Sequence, residues 1–496
     1  MNELDRRPVI IGIGQVNDRT ENLATAPDAC DLMLEAVRLA GSDAGARVLE
    51  QLDTLDLVRL FAAPMEGIPE RLSQALPGLR STPQFVVGHG NTPLLMLSLV
   101  ANRIASGQAE ICALAGAEAC RTDKRRAAAA AGGARPPEMM QQALEGLTSE
   151  DCRRYSLVTP IALYPLFENA MRAHWGQRLE ESQWESAELW SQFSRTAAGN
   201  EHAWIRREYA PEQILEPGPA NRRLSFPYTT LMVANNGVNQ GAALIVASYA
   251  KARQLGIPEH RMVFVGGSAA ATESHDIRER EGYATSPSMQ ASLLSTLQRN
   301  GLQAADCDLL EIYSCFPCVP KYARRVLGIP AGRPLSVSGG LTFAGAPIRN
   351  YMMHAAAEMT RRMRDNGGRN GLLFANGGFM TEAHAIAVSR EPLRDARLPG
   401  DFDAQEHADR LRGRIPRFVQ DHAGPATIET YTVAYRADGE PAHGTVIART
   451  PAGERLFARA QGRELLEWLT CGQEEPVGSR GTVAAAADGL ADWTPA

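Results

Sequence analysis

A sharp turn between a strand and a helix is the first place in this sequence where chemistry is expected. The stretch VVGHGNTPLLMLSLV, residues 86–100, reads as a short strand, a turn and an apolar helix. Such a turn presents the side chain at its tip, and the free N–H groups at a helix start favour a negatively charged oxygen. The tip carries His89, Gly90, Asn91 and Thr92 and has no serine or cysteine. The turn is therefore predicted to stabilise an oxyanion without supplying a nucleophile.

Two further reactive side chains stand together at the end of a buried strand. In EIYSCF these are Tyr313 and Cys315. A phenol here can act as an acid or base toward a hydroxyl group if its neighbours lower its pKa from about 10. The alternative is an aromatic residue that packs at the strand end. Cys315 is the cysteine expected near such a site, and its alternative is a small buried hydrophobic residue.

Histidines and one more tyrosine complete the candidate reactive groups. His89 lies in the turn itself, where it can donate to a carbonyl oxygen or bond to the backbone. His384 follows NGGFMTEA and can orient a substrate oxygen or carry a proton. Tyr351 is placed one turn into a helix predicted to start at Pro347, within reach of a pocket at the helix start. His354 lies a turn deeper, where packing against the sheet is favoured.

Length and charge limit the class of protein. A chain of 496 residues exceeds the size at which a single core stops growing, about 250–300 residues, so two or three domains are expected. The formal net charge of −6 offers no basic face for nucleic acid or an anionic membrane. No run approaches the roughly 18 apolar residues of a membrane span. A strand follows the charged leader at once in MNELDRRPVIIGIGQ, so a cytoplasmic location is expected.

The cysteines predict neither a disulfide framework nor a metal site. Eight cysteines spread thinly over the chain indicate reduced thiols. Cys315 and Cys318 form the one close pair, but no second pair of Cys or His residues stands at a spacing that would complete a zinc site. As a redox pair they would have an unusual Phe-Pro interior. Structural thiols are therefore predicted, and no bound metal.

The chain repeats its own pattern. The strands VIIGIG and MVFVGG start at Val9 and Met262, 253 residues apart, and each is followed by a helix pattern and a second strand. The turn and helix at residues 86–100 correspond to GGLTFAGAPIRNYMMH, with Pro93 and Pro347 each predicted to start a helix. Alternating strands and helices indicate an α/β fold of two similar halves with helix-covered sheets.

Three regions follow from this pattern. The first half spans residues 1–257 and includes an inserted region at about 120–245, and the second half spans residues 258–395. The insert opens with an Arg- and Ala-rich stretch, which is either a solvated, mobile charge cluster or a contact for phosphate groups. From about residue 400, two-residue alternation broken by ADGEP and PAGE turns predicts an antiparallel hairpin or small barrel, which forms a third domain at residues 400–496.

The order of these motifs resembles the thiolase superfamily over roughly residues 5–395. The resemblance rests on the duplicated halves, the turn followed by SGQAEICALAGAEA, the EIYSCF strand end, the GGLTFAGAP turn and the ANGGF strand end. The extra β domain resembles that of thiolase-like proteins of type 1, which are often labelled acetyl-CoA acetyltransferases. The implied fold is a duplicated thiolase fold with an OB-like C-terminal domain.

The resemblance also implies where a thiolase keeps its catalytic groups. Counting back from SGQA puts the nucleophile position at Gly90, within one residue, and Tyr313 stands at the position of the His or Asn of another catalytic loop. Thiolase-like steroid side-chain aldolases carry tyrosine in a similar loop. The GHP turn reads Gly345-Ala346-Pro347, and a second cysteine position carries Asn376, followed by Gly377. All four catalytic positions differ from those of thiolases, and Asn91 and Asn376 are left as substrate-binding or backbone-binding amides.

These differences leave three functions open. The first is retro-aldol cleavage of a β-hydroxyacyl-CoA, with a base such as Tyr313 and a thioester enolate held at the two helix starts, which would converge on one pocket. The second is an acyl-CoA-binding accessory protein without activity. The third is acetyl-CoA acetyltransferase activity with Cys315 as nucleophile.

The same resemblance implies partners. The substrate is an acyl-CoA thioester, no cofactor is bound permanently, and a homodimer is implied, with a monomer as the alternative if the added domain covers the dimer surface. Partner proteins of steroid aldolases carry an OB-fold with a cysteine-rich zinc ribbon, but only Cys471 follows residue 400 here, so four cysteines cannot form one. We therefore predict a metal-free domain that shapes the acyl-chain entrance; the alternative is a cover for apolar surface.

Overall fold

The chain forms two β-sheets with helices packed on them. The computed structural model describes residues 3–45, 47–61, 63–130 and 148–496. The strands are β1 (Pro8–Asn17), β2 (Thr54–Val58), β3 (Gln84–Val86), β4 (Ile111–Glu118), β5 (Arg223–Ser225), β6 (Tyr228–Thr229), β7 (Gln240–Ser248), β8 (Val263–Thr272), β9 (Leu309–Ile312), β10 (Asn370–Gly377), β11 (Glu382–Ser389), β12 (Gly424–Tyr435), β13 (Pro441–Arg449), β14 (Arg455–Ala460), β15 (Arg480–Ala485) and β16 (Ala491–Pro495).

The helices alternate with these strands over most of the chain. They are α1 (Ala29–Ala44), α2 (Ile68–Ala75), α3 (Thr92–Ala105), α4 (Cys120–Ala130), α5 (Glu150–Arg154), α6 (Pro160–His174), α7 (Leu179–Ala198), α8 (Pro211–Leu215), α9 (Tyr249–Gln254), α10 (Pro287–Arg299), α11 (Cys318–Val326), α12 (Gly340–Phe343), α13 (Tyr351–Arg364), α14 (Gln405–Leu411) and α15 (Arg463–Thr470). None of the helices in these ranges combines the length and the apolar character needed to cross a bilayer.

The order of strands in the larger sheet confirms the internal repeat. Within the described residues, nine strands run in the order β3-β2-β4-β7-β1-β8-β11-β10-β9. Four strands of each half show the same pattern of pairings. In the first half, β2 and β4 are parallel, and β4 with β7 and β7 with β1 are antiparallel. In the second half, β9 and β10 are parallel, and β10 with β11 and β11 with β8 are antiparallel. The halves join through a short antiparallel pairing of Val9 with Phe264 and Ile10 with Val263. This is the duplicated α/β fold that the sequence predicts.

The predicted helix starts are only partly correct. Pro93 is the second residue of α3, as expected for a proline in a first helical turn. The equivalent helix α13 begins at Tyr351, four residues beyond Pro347, because GGLTF forms the separate short helix α12 before a turn. Tyr351 is therefore the first helical residue and does not lie one turn inside the helix.

The central strands are covered on both faces. Successive residues of β1 alternate between two cores: Val9 and Ile11 pack with α1, and Ile10 packs with the core that contains α3 and α13. Gly12 allows α1 to lie close to the sheet, since a Cβ there would be 2.2 Å from the Ala40 carbonyl oxygen. Burial on both faces explains why the strands read as continuous apolar runs.

The C-terminal strands form a closed barrel, as predicted. The order is β13-β14-β16-β15-β12, and a further pairing of β12 with β13 closes the ring. β14 and β16 are parallel, and α15 connects β14 to β15. This arrangement is OB-like. The predicted boundary is less sharp, because β5 and β6 of the insert extend the same sheet from β12 and α14 packs on α10 of the second half.

The first part of the basic insert segment is helical and paired. In α4, Arg121 and Arg125 both form ion pairs with Glu21. Arg126 donates to the backbone carbonyl groups of Leu23 and Ala26 at 3.1 and 2.9 Å. These arginines hold a loop of the first half, and the interpretations as a solvated charge cluster or a phosphate contact stay predictions. Residues 131–147 of the same segment lie outside the described residues.

A buried ion pair joins the insert to the second half. The Lys321 ammonium of α11 contacts Glu168 of α6 and the hydroxyl groups of Ser182 and Ser186, at 2.9 and 3.2 Å. Tyr228 donates to the other oxygen of Glu168 at 2.8 Å. Lys321 and Glu168 are 0% and 2% exposed in their side chains. Such a pair is tolerated only when both charges keep all their partners.

Replacing Lys321 by Met should lower the free energy of unfolding by about 3–5 kcal/mol, because Glu168 then stays buried without a counter-charge. Unfolding in urea measures the change. The control is Arg410→Met, which breaks an exposed pair with Glu406 and should cost no more than about 1 kcal/mol. A loss below about 1 kcal/mol for Lys321→Met would contradict the role given to the buried pair.

Candidate active site

The turn before α3 packs directly against strand ends of the second half. At Gly90, an added Cβ would lie 2.4 Å from the backbone oxygen of Asn376 and 2.6 Å from the Tyr313 hydroxyl oxygen. Tyr313 follows β9, and its N–H donates to the Phe374 carbonyl of β10 at 3.0 Å. The phenol therefore fills the space in front of the turn. No side chain at residue 90 fits while Tyr313 and Asn376 keep these positions.

The two helix starts each contact the opposite half. The start of α3 faces the second half, at Tyr313 and Asn376. The start of α13 faces the first half, where the Asn350 amide donates to the Gly116 carbonyl of β4 at 2.6 Å. Because the halves are related by duplication, each helix start faces the strand ends of the opposite half. The prediction that both helix starts line one pocket stays a prediction.

A histidine–carboxylate pair crosses between the two halves at this turn. His89 Nδ1 and Glu382 Oε1 of β11 are 2.7 Å apart. The Asn91 amide oxygen accepts from the His89 N–H at 3.3 Å, and the Asn91 side chain helps to lower the pKa of Glu382. Gly377 permits this approach, since a Cβ there would lie about 3 Å from all three side chains. Glu382 therefore holds Nδ1 and leaves Nε2 of His89 for proton transfer.

The pair lies near the surface and has a second histidine beside it. The side chain of His89 is 33% exposed, and His275 approaches the same Glu382 oxygen at 3.8 Å. Burial opposes ionisation of Glu382, but the hydrogen bond and charge of His89 lower the pKa of Glu382 below its usual value. Among the described residues no group of His, Cys, Asp and Glu is arranged to hold a metal ion.

Asn376 presents a buried oxygen without a partner. Tyr164 of α6 has one hydroxyl proton, which it donates to the Gly378 carbonyl at 3.1 Å. Tyr164 must therefore accept from Asn376, whose Nδ2 lies 2.8 Å away and also contacts the Cys315 sulfur at 3.8 Å. This leaves Oδ1 of Asn376 buried and unpaired within the described part of the chain. A buried acceptor without a donor is costly, so it suits a ligand that carries a hydroxyl group.

The two buried reactive groups are protonated at neutral pH. Burial, followed by the nearby sulfur of Cys315, raises the pKa of Tyr313 far above its ordinary value. Burial also raises the pKa of the Cys315 thiol to about 12. Neither group has a cation beside it that would favour the ionised form. The Tyr313 phenol therefore keeps its proton at neutral pH, and Cys315 is a thiol.

Two backbone N–H groups of the turn have no intramolecular acceptor among the described residues. They belong to Gly90 and Asn91, which precede α3. The N–H of Thr92, by contrast, donates back to the His89 carbonyl at 3.1 Å. Free donors at a helix start favour an oxyanion. The oxyanion site stays a prediction.

Two predicted reactive residues lie in the core. His384 of β11 bonds through Nε2 to Ser98 of α3 at 2.9 Å, and burial lowers the pKa of His384 to about 3. Tyr351 donates to the buried Glu311 of β9 at 2.6 Å and bonds to Ser338 at 2.7 Å. Its ring contacts that of Tyr313 edge-on at 5.8 Å. Tyr351 therefore supports Tyr313, and neither Tyr351 nor His384 offers its polar atoms to the turn.

The predicted GHP-like turn contacts the first half. A Cβ at Gly345 would lie 2.2 Å from the Gln240 side-chain oxygen, and the Ala346 N–H donates to the Asn235 carbonyl at 2.9 Å. These contacts are with the start of β7 and the segment before it, and neither involves His89 or Asn376. His354 packs in the core, as expected, with Nδ1 on Gln15 at 2.9 Å.

Sequence reasoning missed three residues of the site. Glu382 and His275 were not singled out, because a carboxylate at a strand start and a histidine in a loop have no spacing that links them to residue 89. Tyr164 lies in the insert, 212 residues before Asn376. The one usable signal was that Glu382 lies two residues before His384, on the same strand face.

The segment after residue 400 comes close to this region. A cleft of about 450 Å³ at the end of β8 is lined by Thr272, Glu273, Ser274 and Glu279 and by Gln405, Arg412 and Ile415. Thr272 is the register partner of Glu382 in the sheet. The prediction that the C-terminal region shapes the entrance for an acyl chain stays a prediction.

Known proteins resemble this chain in sequence and fold. Residues 407–489 match the family model of the thiolase-like protein type 1 additional C-terminal domain. The crystal structure of a monomeric SCP2-thiolase-like protein type 1 from Mycobacterium smegmatis is 28% identical, covers 99% of both chains and has a TM-score of 0.83. No curated protein sequence is detectably similar to this one.

Two more distant structures share the fold of the core. Human mitochondrial 3-ketoacyl-CoA thiolase is 16% identical, covers 78% of this chain and 99% of its own, and has a TM-score of 0.60. The Ltp2-ChsH2(DUF35) aldolase is 20% identical, covers 79% and 100%, and has a TM-score of 0.60.

Gly90→Ala should lower the free energy of unfolding by about 1–3 kcal/mol, because the methyl group collides with the Asn376 backbone and the Tyr313 hydroxyl. Thermal and urea unfolding measure it. The control Gly332→Ala has open space around its Cβ and should change stability by less than about 0.5 kcal/mol. Equal stability of the two variants would show that the turn and the strand ends are not in contact.

Proposed function

Because this chain is a thiolase-like protein of type 1 with the additional C-terminal domain, we propose that it makes or cleaves a carbon–carbon bond of an acyl-CoA thioester without a covalent acyl-enzyme. The reaction is an aldol addition and its reverse, which splits a β-hydroxyacyl-CoA into a shorter acyl-CoA and an aldehyde or ketone. The observation that carries the proposal is the Tyr313 hydroxyl in front of Gly90, in the space that a side chain at the tip of the turn would need.

Covalent acyl transfer lacks a suitable group at this turn. Gly90 carries no side chain, and the close contacts of its Cα exclude one. Cys315 is the nearby thiol, but burial raises its pKa to about 12, so very little thiolate exists at neutral pH. The remaining chemistry at the site is proton transfer and the binding of an oxyanion.

In the direction of synthesis, His89 removes the α-proton of the acyl thioester. Glu382 holds Nδ1–H, so Nε2 accepts the proton and the resulting imidazolium is stabilised by the carboxylate. The electron pair of the C–H bond moves to the thioester oxygen, and the free N–H groups of Gly90 and Asn91 bind the enolate. The enolate carbon then attacks the carbonyl carbon of the second substrate.

Tyr313 supplies the proton for the new hydroxyl group. Its raised pKa keeps the phenol protonated until an alkoxide forms beside it, and the alkoxide is basic enough to take the proton. The phenolate regains a proton as His89 releases its own to solvent, so the net reaction is acyl-CoA plus carbonyl compound to β-hydroxyacyl-CoA. Cleavage follows the same steps in reverse. Tyr313 is thus an acid in the resting site, and the expected base there is His89.

The unpaired oxygen of Asn376 suits a β-hydroxyl group. The resting site leaves Oδ1 buried without a donor, while Tyr164 fixes the amide orientation. A substrate hydroxyl that donates to Oδ1 would satisfy it and could accept from Tyr313. A substrate without the hydroxyl would leave the acceptor unpaired, which favours β-hydroxyacyl over simple acyl thioesters.

The similar proteins support the substrate class. One is described as a 3-ketoacyl-CoA thiolase and another as an aldolase, so CoA thioesters and carbon–carbon bond cleavage both occur on this fold. The mycobacterial protein is described as monomeric, which supports the monomer over the homodimer.

Tyr313→Phe should reduce turnover of a β-hydroxyacyl-CoA by about 10²- to 10⁴-fold, since the group that exchanges the proton of the β-hydroxyl is lost. Formation of shortened acyl-CoA, followed by mass spectrometry over a panel of branched β-hydroxyacyl-CoAs, measures turnover, and calorimetry measures binding. Binding should change little, because the ring remains.

The control is Tyr249→Phe, which removes a hydroxyl that bonds to Glu259 far from the turn. Unchanged turnover in Tyr313→Phe would refute the role of the phenol. Binding of the whole panel without turnover by the unaltered protein would favour the accessory acyl-CoA-binding function.

Cys315→Ala should retain at least about half of the carbon–carbon bond activity, because the buried thiol takes no part in proton transfer. The same variant tests acetyltransferase activity, which requires a sulfur that accepts the acyl group. Transfer of an acetyl group from acetyl-CoA that disappears in Cys315→Ala would establish the acetyltransferase instead. The covalent acyl-enzyme would then appear in the intact mass of the unaltered protein.

A further inference from the structure

A buried arginine ties the additional domain to the segment that follows β8. Arg455 of β14 is 0% exposed, and its guanidinium bonds to Glu429 of β12 at 2.9 and 2.7 Å. Its N–H groups also donate to three backbone oxygens: those of Arg278 at 2.9 Å, Arg280 at 2.5 Å and Glu281 at 3.3 Å. A planar guanidinium fixed by a carboxylate holds these carbonyl groups at set positions.

From the same segment, the Arg280 side chain reaches the loop of the site. Its Nη1 donates to the Met380 carbonyl at 3.0 Å, and Nη2 donates to the Phe379 carbonyl at 2.9 Å and to the Thr381 hydroxyl at 3.0 Å. Arg280 is 4% exposed. Burial lowers its pKa to about 10, so the guanidinium stays charged at neutral pH. Arg280 is thus held through its backbone by the additional domain and holds the loop through its side chain.

The loop that Arg280 holds connects two residues of the site. Residues 378–381 lie between Gly377, which contacts the turn, and Glu382, which orients His89. Met380 at its centre has a left-handed backbone conformation, with φ of 52°, and is 0% exposed. A non-glycine residue adopts this conformation only where its surroundings enforce it. The bonds from Arg280 to its carbonyl and to both neighbours provide that enforcement.

We infer that Arg455 of the additional domain is a positioning residue for the active site, acting through Arg280 on the loop that carries Gly377 and Glu382. The inference rests on the proposed function, in which Glu382 orients His89. Neither arginine is exposed to a substrate, so weakening the contact alters the geometry of proton transfer and leaves thioester binding in place. The additional domain then contributes to kcat and not only to the covering of apolar surface.

The test compares Arg455→Lys, Arg280→Lys and the double variant. Lysine keeps the charge but carries its three donors on one nitrogen, so it cannot reproduce the planar spread of the guanidinium N–H groups that reaches these acceptors. Each single variant should increase deuterium uptake of peptides that cover residues 377–382. Each should lower kcat by about 10- to 100-fold, as expected when a proton carrier is misplaced by about 1 Å, with KM changed by less than about twofold. If Arg455 acts through Arg280, the double variant should lose no more than the worse single one.

The matched control is Arg459→Lys on the same strand, whose guanidinium bonds to Asp488 and Asp492 at the barrel surface. It should leave uptake at residues 377–382 and kcat unchanged. Glu429→Gln replaces Arg455→Lys if the latter does not fold, because it loosens the guanidinium and retains the side-chain volume.

Unchanged uptake at residues 377–382 in Arg455→Lys, or in Glu429→Gln used in its place, overturns the inference. So do multiplicative losses of kcat in the double variant. If the unaltered protein turns over no thioester, the proposed function fails, while the uptake measurement still decides whether Arg455 positions the loop.

Discussion

The close approach of the turn at residues 89–91 to the strand ends of the second half is the contact on which the rest of the site depends. It requires one residue without a side chain on the turn and another on a strand of the second half. Gly90 lies against Asn376 and Tyr313, and Gly377 lies against His89 and Glu382. Because there is no Cβ at either place, a helix start of one half and the hydrogen-bonding groups of the other come within reach of one substrate.

Burial then sorts the reactive groups into roles. Tyr313 and Cys315 are buried, and burial favours their neutral forms. His89 lies at the surface with a carboxylate on one nitrogen. Only the histidine can exchange protons readily with solvent, whereas the phenol gives up its proton only when an alkoxide forms beside it. One glycine-rich contact thus places an acid and a base in different environments.

The additional domain is built into the molecule and not merely attached to it. Its barrel continues into β5 and β6 of the insert, and Asn169 of α6 donates to the Tyr431 carbonyl of β12 at 3.0 Å. Its buried Arg455 contacts the backbone beside Arg280. A domain whose polar groups are satisfied by the backbone of the core cannot shift without breaking buried hydrogen bonds. This continuity explains why the boundary expected near residue 400 is not a clean one.

The sequence by itself determined the elements and their order. The repeat, the turn before α3, the C-terminal β domain and the placement of Tyr313, Asn376 and Gly377 at strand ends were all predicted, whereas the alternation alone left open whether the C-terminal strands form a hairpin or a closed barrel. These features depend on local periodicity and on glycines and prolines, whose effects extend over only a few residues of the chain. The helix start at Tyr351 was misplaced, because a short helix and a turn intervene after Pro347.

Only the tertiary structure decided which side chains meet. His89 and Glu382 are 293 residues apart in the chain, and Tyr164 meets Asn376 across 212 residues. His384, two residues after Glu382 on the same strand, bonds to Ser98 inside the core instead. Each of these outcomes depends on the distance and tilt between a helix and a strand from different halves. A pattern along one strand states which face a residue occupies, but it carries no information on what the opposite element places there.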